Sequence, residues 1–221
     1  MFDITKLALK LPNFLTHNEC DRLINEYETR SNESYLEKSS NYKTNQVTTS
    51  SFKVVELKPY TDNFNLIKSK TKKAVDLYIK HLSKPGFFYT NLLKNTLRFS
   101  HNYRVMKYDV GAEIHPHSDH DPGIYGSISF NLSEGYKGGE FKFFNGNYTV
   151  PLNKGDALIF PADYFWIHEV TPVTEGIRYS INSFLCKHPY DVITKSFYLE
   201  NLISNDYLKN TPSEELLGPY N

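Results

Sequence analysis

From residue 96 onward the chain consists of short segments with the alternating or apolar patterns of β-strands, separated by turn residues. Many short strands with glycine and proline between them favour a sandwich or a jelly roll, the architecture that includes the cupins. Asn145-Gly146 is a strong signal for a hairpin with a two-residue turn, because both residue types tolerate positive φ. The sequence therefore predicts a mostly β fold, with strands at residues 96–108, 125–132, 140–150, 156–160, 164–171 and 176–185.

The N-terminal part of the chain predicts two helices that flank this β region. Thr16 and Glu19 have the spacing of a capping box, and apolar residues recur at helical spacing over residues 17–30. A second amphipathic helix begins near Asp62, which can cap it, and Lys84-Pro85-Gly86 ends it. Helices therefore precede the strands and can brace them.

A long polar segment, residues 32–50, separates the two helices, and a predicted strand at 51–58 follows it. The segment has little periodicity and exceeds an ordinary connection in length, so it predicts either a plain mobile loop or a substrate lid. After the last strand, apolar spacing suggests a helical tail. We expect a single domain with N-terminal support in 1–95, a jelly-roll core in 96–186 and the helical tail in 187–221.

Composition excludes several classes of protein. Lys+Arg and Asp+Glu balance at 25 each, so no net charge attracts nucleic acid or an anionic membrane. Cys20 and Cys186 lie far apart and imply neither a disulfide framework nor a cysteine zinc site. No stretch reaches membrane-spanning length, and the N-terminus lacks the apolar run of a signal peptide. We therefore expect a cytoplasmic protein that binds neither nucleic acid nor membrane.

Histidines and carboxylates cluster in the segment HPHSDHD (residues 115–121), and His168 follows downstream. Two neutral imidazoles and a carboxylate can occupy one face of an octahedral metal and leave the other face open, as in the facial triad of non-haem Fe(II) oxygenases. His117 and Asp119 are candidate ligands with His168. They could otherwise be an ordinary surface pair, and His168 a core histidine, so chemistry alone does not choose the ligands.

Arg178, Ser180 and Asn182 share one face of the predicted strand 176–185, because side chains alternate along a strand. A buried arginine is costly without an anionic partner. The shared face therefore points either to water or to a polar cavity, and a metal site upstream favours the cavity. Since a guanidinium fork matches a carboxylate, the expected ligand of Arg178 is an anion.

Several motifs occur in order between about residues 98 and 185. Together they resemble the Fe(II)- and 2-oxoglutarate-dependent dioxygenases, and within them the prolyl-4-hydroxylase-like branch. The resemblance implies a double-stranded β-helix, that is, a cupin-like jelly roll braced by the N-terminal helices. The motifs are Tyr108-x-x-Gly111 before His117-x-Asp119, Gly138-Gly139-Glu140-Phe141, Gly155-Asp156-Ala157-Leu158-Ile159-Phe160-Pro161, His168-x-Val170-x-Pro172-Val173 and Gly176-x-Arg178-Tyr179-Ser180.

The resemblance also implies the metal and its ligands. Fe(II) would be held by His117, Asp119 and His168, and the position of the first two relative to Gly111 selects them over the other histidines of their segment. O2 would bind beside the co-substrate, with ascorbate as a reductant. The implied products are succinate, carbon dioxide and a hydroxylated substrate.

The co-substrate 2-oxoglutarate would chelate the iron and pair its C5 carboxylate with Arg178. The resemblance assigns Ser180 and Tyr108 as further contacts of the same molecule. Asn131 stands where some relatives have another polar contact. We therefore expect these four residues to form the co-substrate site.

The sequence constrains the substrate class less than it constrains the fold, the metal or the co-substrate. Proline in a peptide or protein is the choice that the resemblance favours, while similar single-domain enzymes hydroxylate free amino acids or other small metabolites. A non-oxygenase metal-binding cupin is the competing class. A nucleic-acid demethylase is disfavoured, because Phe184 stands where those enzymes carry a second arginine. Trp166, on the face of His168, could contact substrate or fill the core.

Overall fold

Strands make up most of the regular structure in residues 3–41, 44–86, 88–121, 123–189 and 213–216, which a computed structural model describes. The helices of these residues are α1 (His17–Thr29), α2 (Asp62–Ser83) and α3 (Thr90–Thr96). The N-terminal strands are β1 (Leu9–Leu11), β2 (Tyr35–Asn41), β3 (Gln46–Glu56) and β4 (Phe99–Tyr108). The later ones are β5 (Ile114–His117), β6 (Ile124–Asn131), β7 (Lys137–Gly138), β8 (Phe141–Phe143), β9 (Tyr148–Val150), β10 (Ala157–Pro161), β11 (His168–Val170), β12 (Val173–Glu175), β13 (Arg178–Cys186) and β14 (Ser213–Glu215).

Two antiparallel sheets enclose one of the buried clusters of the core. The larger sheet has the order β1-β10-β6-β13-β4-β3-β2, and the smaller one has the order β5-β11-β8-β9. Met106 and Phe160 of the larger sheet lie in one buried cluster with Phe141, Phe143 and Val170 of the smaller sheet. The predicted jelly roll is therefore confirmed, with its interior between the two sheets.

The other face of the larger sheet is covered by the N-terminal helices. Leu23 of α1 and Ile67 of α2 lie in one buried cluster with Val105, Phe130 and Ile181 of the sheet. The larger sheet is consequently covered on both faces, and the predicted bracing by helices is confirmed. No helix of the described ranges is both long and apolar enough to cross a membrane.

The ends of the helices follow local side-chain chemistry. Thr16 and Glu19 form the predicted capping box of α1. For α2 the predicted cap is wrong by one residue, because the Thr61 hydroxyl accepts the hydrogen bond from the Phe64 backbone N–H, and Asp62 is the first helical residue. The short helix α3 was not predicted from the sequence.

The polar segment 32–50 is not a plain loop, so that prediction was wrong, and its role as a substrate lid stays a prediction. Most of it forms the antiparallel hairpin β2–β3, and β3 pairs with β4 so that the hairpin extends the larger sheet. The residues Thr48-Thr49-Ser50-Ser51 of β3 and most of β2 are polar and pair through their backbones, so hydrophobic periodicity does not reveal them. The predicted strand 51–58 is therefore the second half of the longer β3.

Two later predictions need a similar correction. The hairpin β8–β9 turns at Asn145 and Gly146 as predicted, but the connection has four residues, from Phe144 to Asn147, between the paired Phe143 and Tyr148. The tail 187–221 falls mostly outside the described residues. Within it, Ser213–Glu215 is a strand paired with Phe99–His101 rather than a helix, because it fills the edge of β4 beyond β3.

Candidate metal centre

The sheet pairing brings the three predicted metal ligands together. His117 at the end of β5 and His168 at the start of β11 are directly paired across the smaller sheet. Asp119 follows β5 by two residues and turns back toward both rings. Its two carboxylate oxygens lie 3.3 Å from His117 Nε2 and 3.5 Å from His168 Nε2. One potential ligand atom from each residue lies within 4.8 Å of the other two, so the group could hold a metal ion.

Backbone carbonyl groups orient both imidazoles. His117 Nδ1 lies 2.8 Å from the His115 carbonyl oxygen, and His168 Nδ1 lies 3.0 Å from the Trp166 carbonyl oxygen. An imidazole that donates from Nδ1 keeps its Nε2 lone pair for a metal. Both Nε2 atoms face Asp119, so the rings have the tautomer and the direction that a metal ligand needs.

Asp119 is held by a residue that the sequence analysis did not single out. The Ser127 hydroxyl on β6 donates a hydrogen bond of 2.6 Å to Asp119 Oδ2. Burial alone would raise the pKa of Asp119, but His168 and the hydrogen bonds from His117 and Ser127 hold this pKa well below its usual value. The carboxylate is therefore ionised and available to a cation.

The two histidines differ in their titration. Burial lowers the pKa of His168 to about 4. Burial also opposes protonation of His117, but the hydrogen bond to Asp119 raises the pKa of His117 above its ordinary value. A divalent metal would displace this proton, because metal ligation requires the neutral imidazole.

Arg178 is buried beside this cluster, and no carboxylate of the described residues pairs with it. The residue is 1% exposed, its Nη1 donates to the Ser180 hydroxyl over 3.2 Å, and its Nε has no hydrogen-bond partner among the described residues. The guanidinium carbon lies 4.7 Å from the centre of the Tyr108 ring and 5.7 Å from that of Phe141. A buried guanidinium without a counter-ion is costly, so this pocket fits an anionic ligand.

One cavity connects the metal cluster with the surroundings of Arg178. Its walls include His117, Asp119 and His168 together with Tyr108 and Ser180. The donor set therefore fits Fe(II), and the buried guanidinium next to Tyr108 and Ser180 fits a carboxylate of 2-oxoglutarate.

The Gly138-Gly139 turn allows Arg178 to occupy its position. A Cβ atom on Gly139 would lie 2.7 Å from Arg178 Cδ, and one on Gly138 would lie 2.1 Å from the Pro172 carbonyl oxygen. Both glycines have positive φ. The turn is therefore close-packed against the arginine and against the segment that follows His168.

Asn131 and Trp166 have packing partners of their own. Asn131 Nδ2 donates to the carbonyl oxygens of Ser133 and Leu152, while its Oδ1 accepts from the Tyr136 hydroxyl. A contact between Asn131 and a co-substrate stays a prediction. Trp166 is 1% exposed and packs edge-on against Phe143, so it fills the core.

A second cationic group contacts a residue of the cavity wall. Arg104 on β4 donates from Nε to Asn182 Oδ1 over 3.1 Å and forms an ion pair with Glu37 of β2. Asn182 lines the metal cavity. Strand parity predicts the inward direction of Asn182, whereas the link to Glu37 depends on the hairpin that the sequence analysis missed.

The comparisons with known proteins agree with this geometry. A family model described as the 2OG-Fe(II) oxygenase superfamily matches residues 103–186, which contain the three candidate ligands and Arg178. No curated protein sequence matches the chain. The family match confirms the predicted resemblance and supports a 2-oxoglutarate-dependent dioxygenase.

Solved structures of prolyl hydroxylases share the fold. A Pseudomonas putida prolyl-4-hydroxylase is 20% identical with a TM-score of 0.60, and the match covers 81% of this chain and 92% of that one. A viral collagen prolyl hydroxylase of Paramecium Bursaria Chlorella virus-1, in a 2OG complex, is 17% identical with a TM-score of 0.54 over 81% and 95%. A Trichoplax adhaerens prolyl hydroxylase, in complex with a hypoxia inducible factor peptide fragment, is 17% identical with a TM-score of 0.60 over 90% and 89%.

Proposed function

We propose that this 2-oxoglutarate-dependent dioxygenase hydroxylates an unactivated C–H bond of proline in a peptide or protein and releases succinate and carbon dioxide. The observation that carries the proposal is the buried Arg178, which lacks a carboxylate partner among the described residues and neighbours a His-Asp-His cluster. An anion that both pairs with this arginine and chelates the metal satisfies both features, and 2-oxoglutarate has that form.

Each residue of the cavity has a defined task in this proposal. His117, Asp119 and His168 would hold Fe(II), and Ser127 keeps the Asp119 carboxylate directed at it. Bound iron and 2-oxoglutarate supply the oxidation of the C–H bond by O2, with ascorbate as a reductant that keeps the iron ferrous. The protein orients the reactants and excludes water from their surroundings.

The C5 carboxylate of 2-oxoglutarate would pair with Arg178 and accept a hydrogen bond from the Ser180 hydroxyl. The ring of Tyr108 packs against the guanidinium of Arg178. Burial raises the pKa of the Tyr108 hydroxyl, while the charge of Arg178 opposes this. The phenol is therefore a neutral hydrogen-bond donor at physiological pH, as a carboxylate partner should be.

Proline is the proposed target because several solved structures with this fold are prolyl hydroxylases and one of them is bound to a peptide. A free amino acid or a small metabolite is the alternative.

We also propose that residues 1–221 form one catalytic domain. A cytoplasmic setting suits the free thiols of Cys20 and Cys186.

A turnover screen tests the proposal. The protein with Fe(II), 2-oxoglutarate and ascorbate is incubated with proline-containing peptides and free amino acids, and both succinate and a substrate mass gain of one oxygen are measured. We expect both signals with a peptide, and we expect neither from Asp119→Ala. Ser129→Ala, on the same strand face as Ser127, controls for a disturbance of the cavity wall. Succinate production that does not require Fe(II) would overturn the proposal. Absence of succinate together with absence of 2-oxoglutarate binding would also overturn it.

A further inference from the structure

A surface cavity adjoins the Gly138-Gly139 turn. Residues 133–136 and 138–140 form one part of its wall, and residues 151–154 form the rest. Its volume is about 250 Å³, whereas that of the metal cavity is about 30 Å³. The two cavities share no described residue of their walls, so this one, which we call the turn cavity, is a separate opening at the surface.

Gly139 joins the turn cavity to Arg178. It belongs to the cavity wall, and a Cβ atom on it would lie 2.7 Å from Arg178 Cδ and 3.3 Å from Tyr136 Cε2. Arg178 Nε, which is bonded to Cδ, is buried and has no hydrogen-bond partner in the described part of the chain. The wall between the cavity and the arginine therefore consists of the Gly139 backbone and the edge of the Tyr136 ring.

A hydrogen bond to a neighbouring strand holds the Tyr136 ring in this wall. The Tyr136 hydroxyl donates to Asn131 Oδ1 over 3.1 Å, and Asn131 is the strand partner of Ser180 at the co-substrate end. The Tyr136 backbone is packed separately, because a Cβ atom on Gly176 would lie 3.1 Å from Tyr136 Cα. The ring can therefore rotate away from Gly139 when one neutral hydrogen bond breaks, a modest cost, while the turn keeps its place.

The charges around the turn cavity permit the passage of a dianion. Its two acidic residues each have a lysine nearby, since Glu134 Oε1 lies 3.9 Å from Lys154 Nζ and Glu140 Oε2 lies 3.4 Å from Lys142 Nζ. Lys154 also binds Asp21 over 2.6 Å, which leaves one negative charge in excess. The carboxylates of Asp21 and Glu134 are exposed, so solvent and salt screen their repulsion of an anion.

We propose that the turn cavity is the main route by which 2-oxoglutarate reaches Arg178 and succinate leaves, and that the Tyr136 ring closes this route. The inference rests on the proposed function, which makes a carboxylate the partner of Arg178. A dicarboxylate that uses this route does not enter past the metal ligands from the side where the substrate C–H bond must lie. Succinate can consequently leave while a long substrate is still at the metal.

Binding kinetics test the inference. Protein loaded with Fe(II) under argon is mixed rapidly with 2-oxoglutarate, and the absorption that arises when the keto acid chelates the metal gives both rate constants. Tyr136→Ala should raise the association and dissociation rate constants by about fivefold or more, since binding that waits for a conformational change is slow. Tyr136→Phe keeps the ring and should raise them less. Tyr89→Ala, at an exposed tyrosine outside the wall, should leave both unchanged.

A chemical block tests the route from the opposite direction. Asn153 is exposed in the wall of the turn cavity, so Asn153→Cys provides a thiol for a bulky maleimide. The native Cys20 and Cys186 are buried, and burial raises the pKa of both thiols, so they react slowly. The modified protein should show both rate constants lowered by about fivefold or more. The unmodified variant and a modified Tyr89→Cys variant should match the wild type.

Unchanged association in Tyr136→Ala, or in the blocked Asn153→Cys protein, would overturn the inference. Faster dissociation alone in Tyr136→Ala would make Tyr136 a positioning residue and would equally exclude the route. Absence of the absorption in the wild type would instead contradict the proposed function. A normal dissociation constant with rate constants that neither change alters confines the failure to the route.

Discussion

Ser127 Oγ donates a hydrogen bond of 2.6 Å to Asp119 Oδ2 and so connects β6 of the larger sheet to the metal cluster of the smaller one. Partners of this kind fix the direction of a ligand, and their loss typically reduces metal affinity by about 10- to 100-fold. We expect Ser127→Ala to weaken metal binding within this range, measured by titration with Fe(II) under argon. Ser129→Ala is the matched control, and equal affinity in both variants would contradict the role of Ser127.

Gly139→Ala is expected to damage co-substrate binding without affecting the metal. The new Cβ would lie 2.7 Å from Arg178 Cδ, so the arginine side chain must move. Gly135→Ala is a sharp control, since Gly135 has a similar positive φ but a Cβ there would meet no atom within 4 Å. Gly135→Ala should lose roughly 1–2 kcal/mol of folding free energy and Gly139→Ala at least as much, and only Gly139→Ala should raise the 2-oxoglutarate dissociation constant.

Arg178→Lys should bind 2-oxoglutarate much more weakly than the wild type. Lysine keeps the charge but lacks the planar fork that matches a carboxylate. Loss of a hydrogen bond to a charged group costs roughly 1.5–3 kcal/mol, which corresponds to about 10- to 100-fold in the dissociation constant. Titration of 2-oxoglutarate into the iron-loaded protein measures this change, and an unchanged constant with normal iron binding would remove Arg178 from the site.

Acid should destabilise the fold through His101, which is buried on β4. Burial, aided by the charge of Arg104, lowers the pKa of His101 to about 3. Since the unfolded chain takes up this proton near pH 6.5, the free energy of unfolding decreases as pH falls below 6.5, by up to about 1.4 kcal/mol per pH unit. In denaturant unfolding between pH 6 and pH 5, His101→Phe should show a smaller decrease with acid than the wild type. An identical slope in both proteins would contradict this assignment.

The fold class was predictable because turn residues and apolar strand patterns carry most of its information. Strand parity also predicts that Arg178, Ser180 and Asn182 share one face, and the same rule applied to β6 would have found Ser127. The hairpin β2–β3 was missed for a physical reason, since the run from Glu37 to Ser51 is mostly polar and gives no periodic apolar signal. The pairing of Glu37 with Arg104 depends on that hairpin and could not be predicted without it.

The choice of ligands in the crowded segment before β6 shows a second limit of sequence reasoning. Chemistry did not distinguish His117 from His115 or His120. In the structure, the backbone carbonyl of His115 orients the ring of His117, and the ring of His120 packs on Tyr164. These relationships depend on the pairing of β5 with β11, which brings distant segments together. Apart from the spacing to Gly111 that the resemblance supplies, only the tertiary structure therefore separates the candidate ligand from its neighbours.

The most direct measurement is the binding of 2-oxoglutarate to the iron-loaded protein under anaerobic conditions, followed by the absorption that arises when the keto acid chelates Fe(II). The account predicts a saturable band with one equivalent of iron in the wild type. It predicts no band in Asp119→Ala, and in Arg178→Lys a band that requires much more 2-oxoglutarate. Absence of the band in the wild type despite bound iron, or a band of unchanged affinity in both variants, would contradict the proposed site.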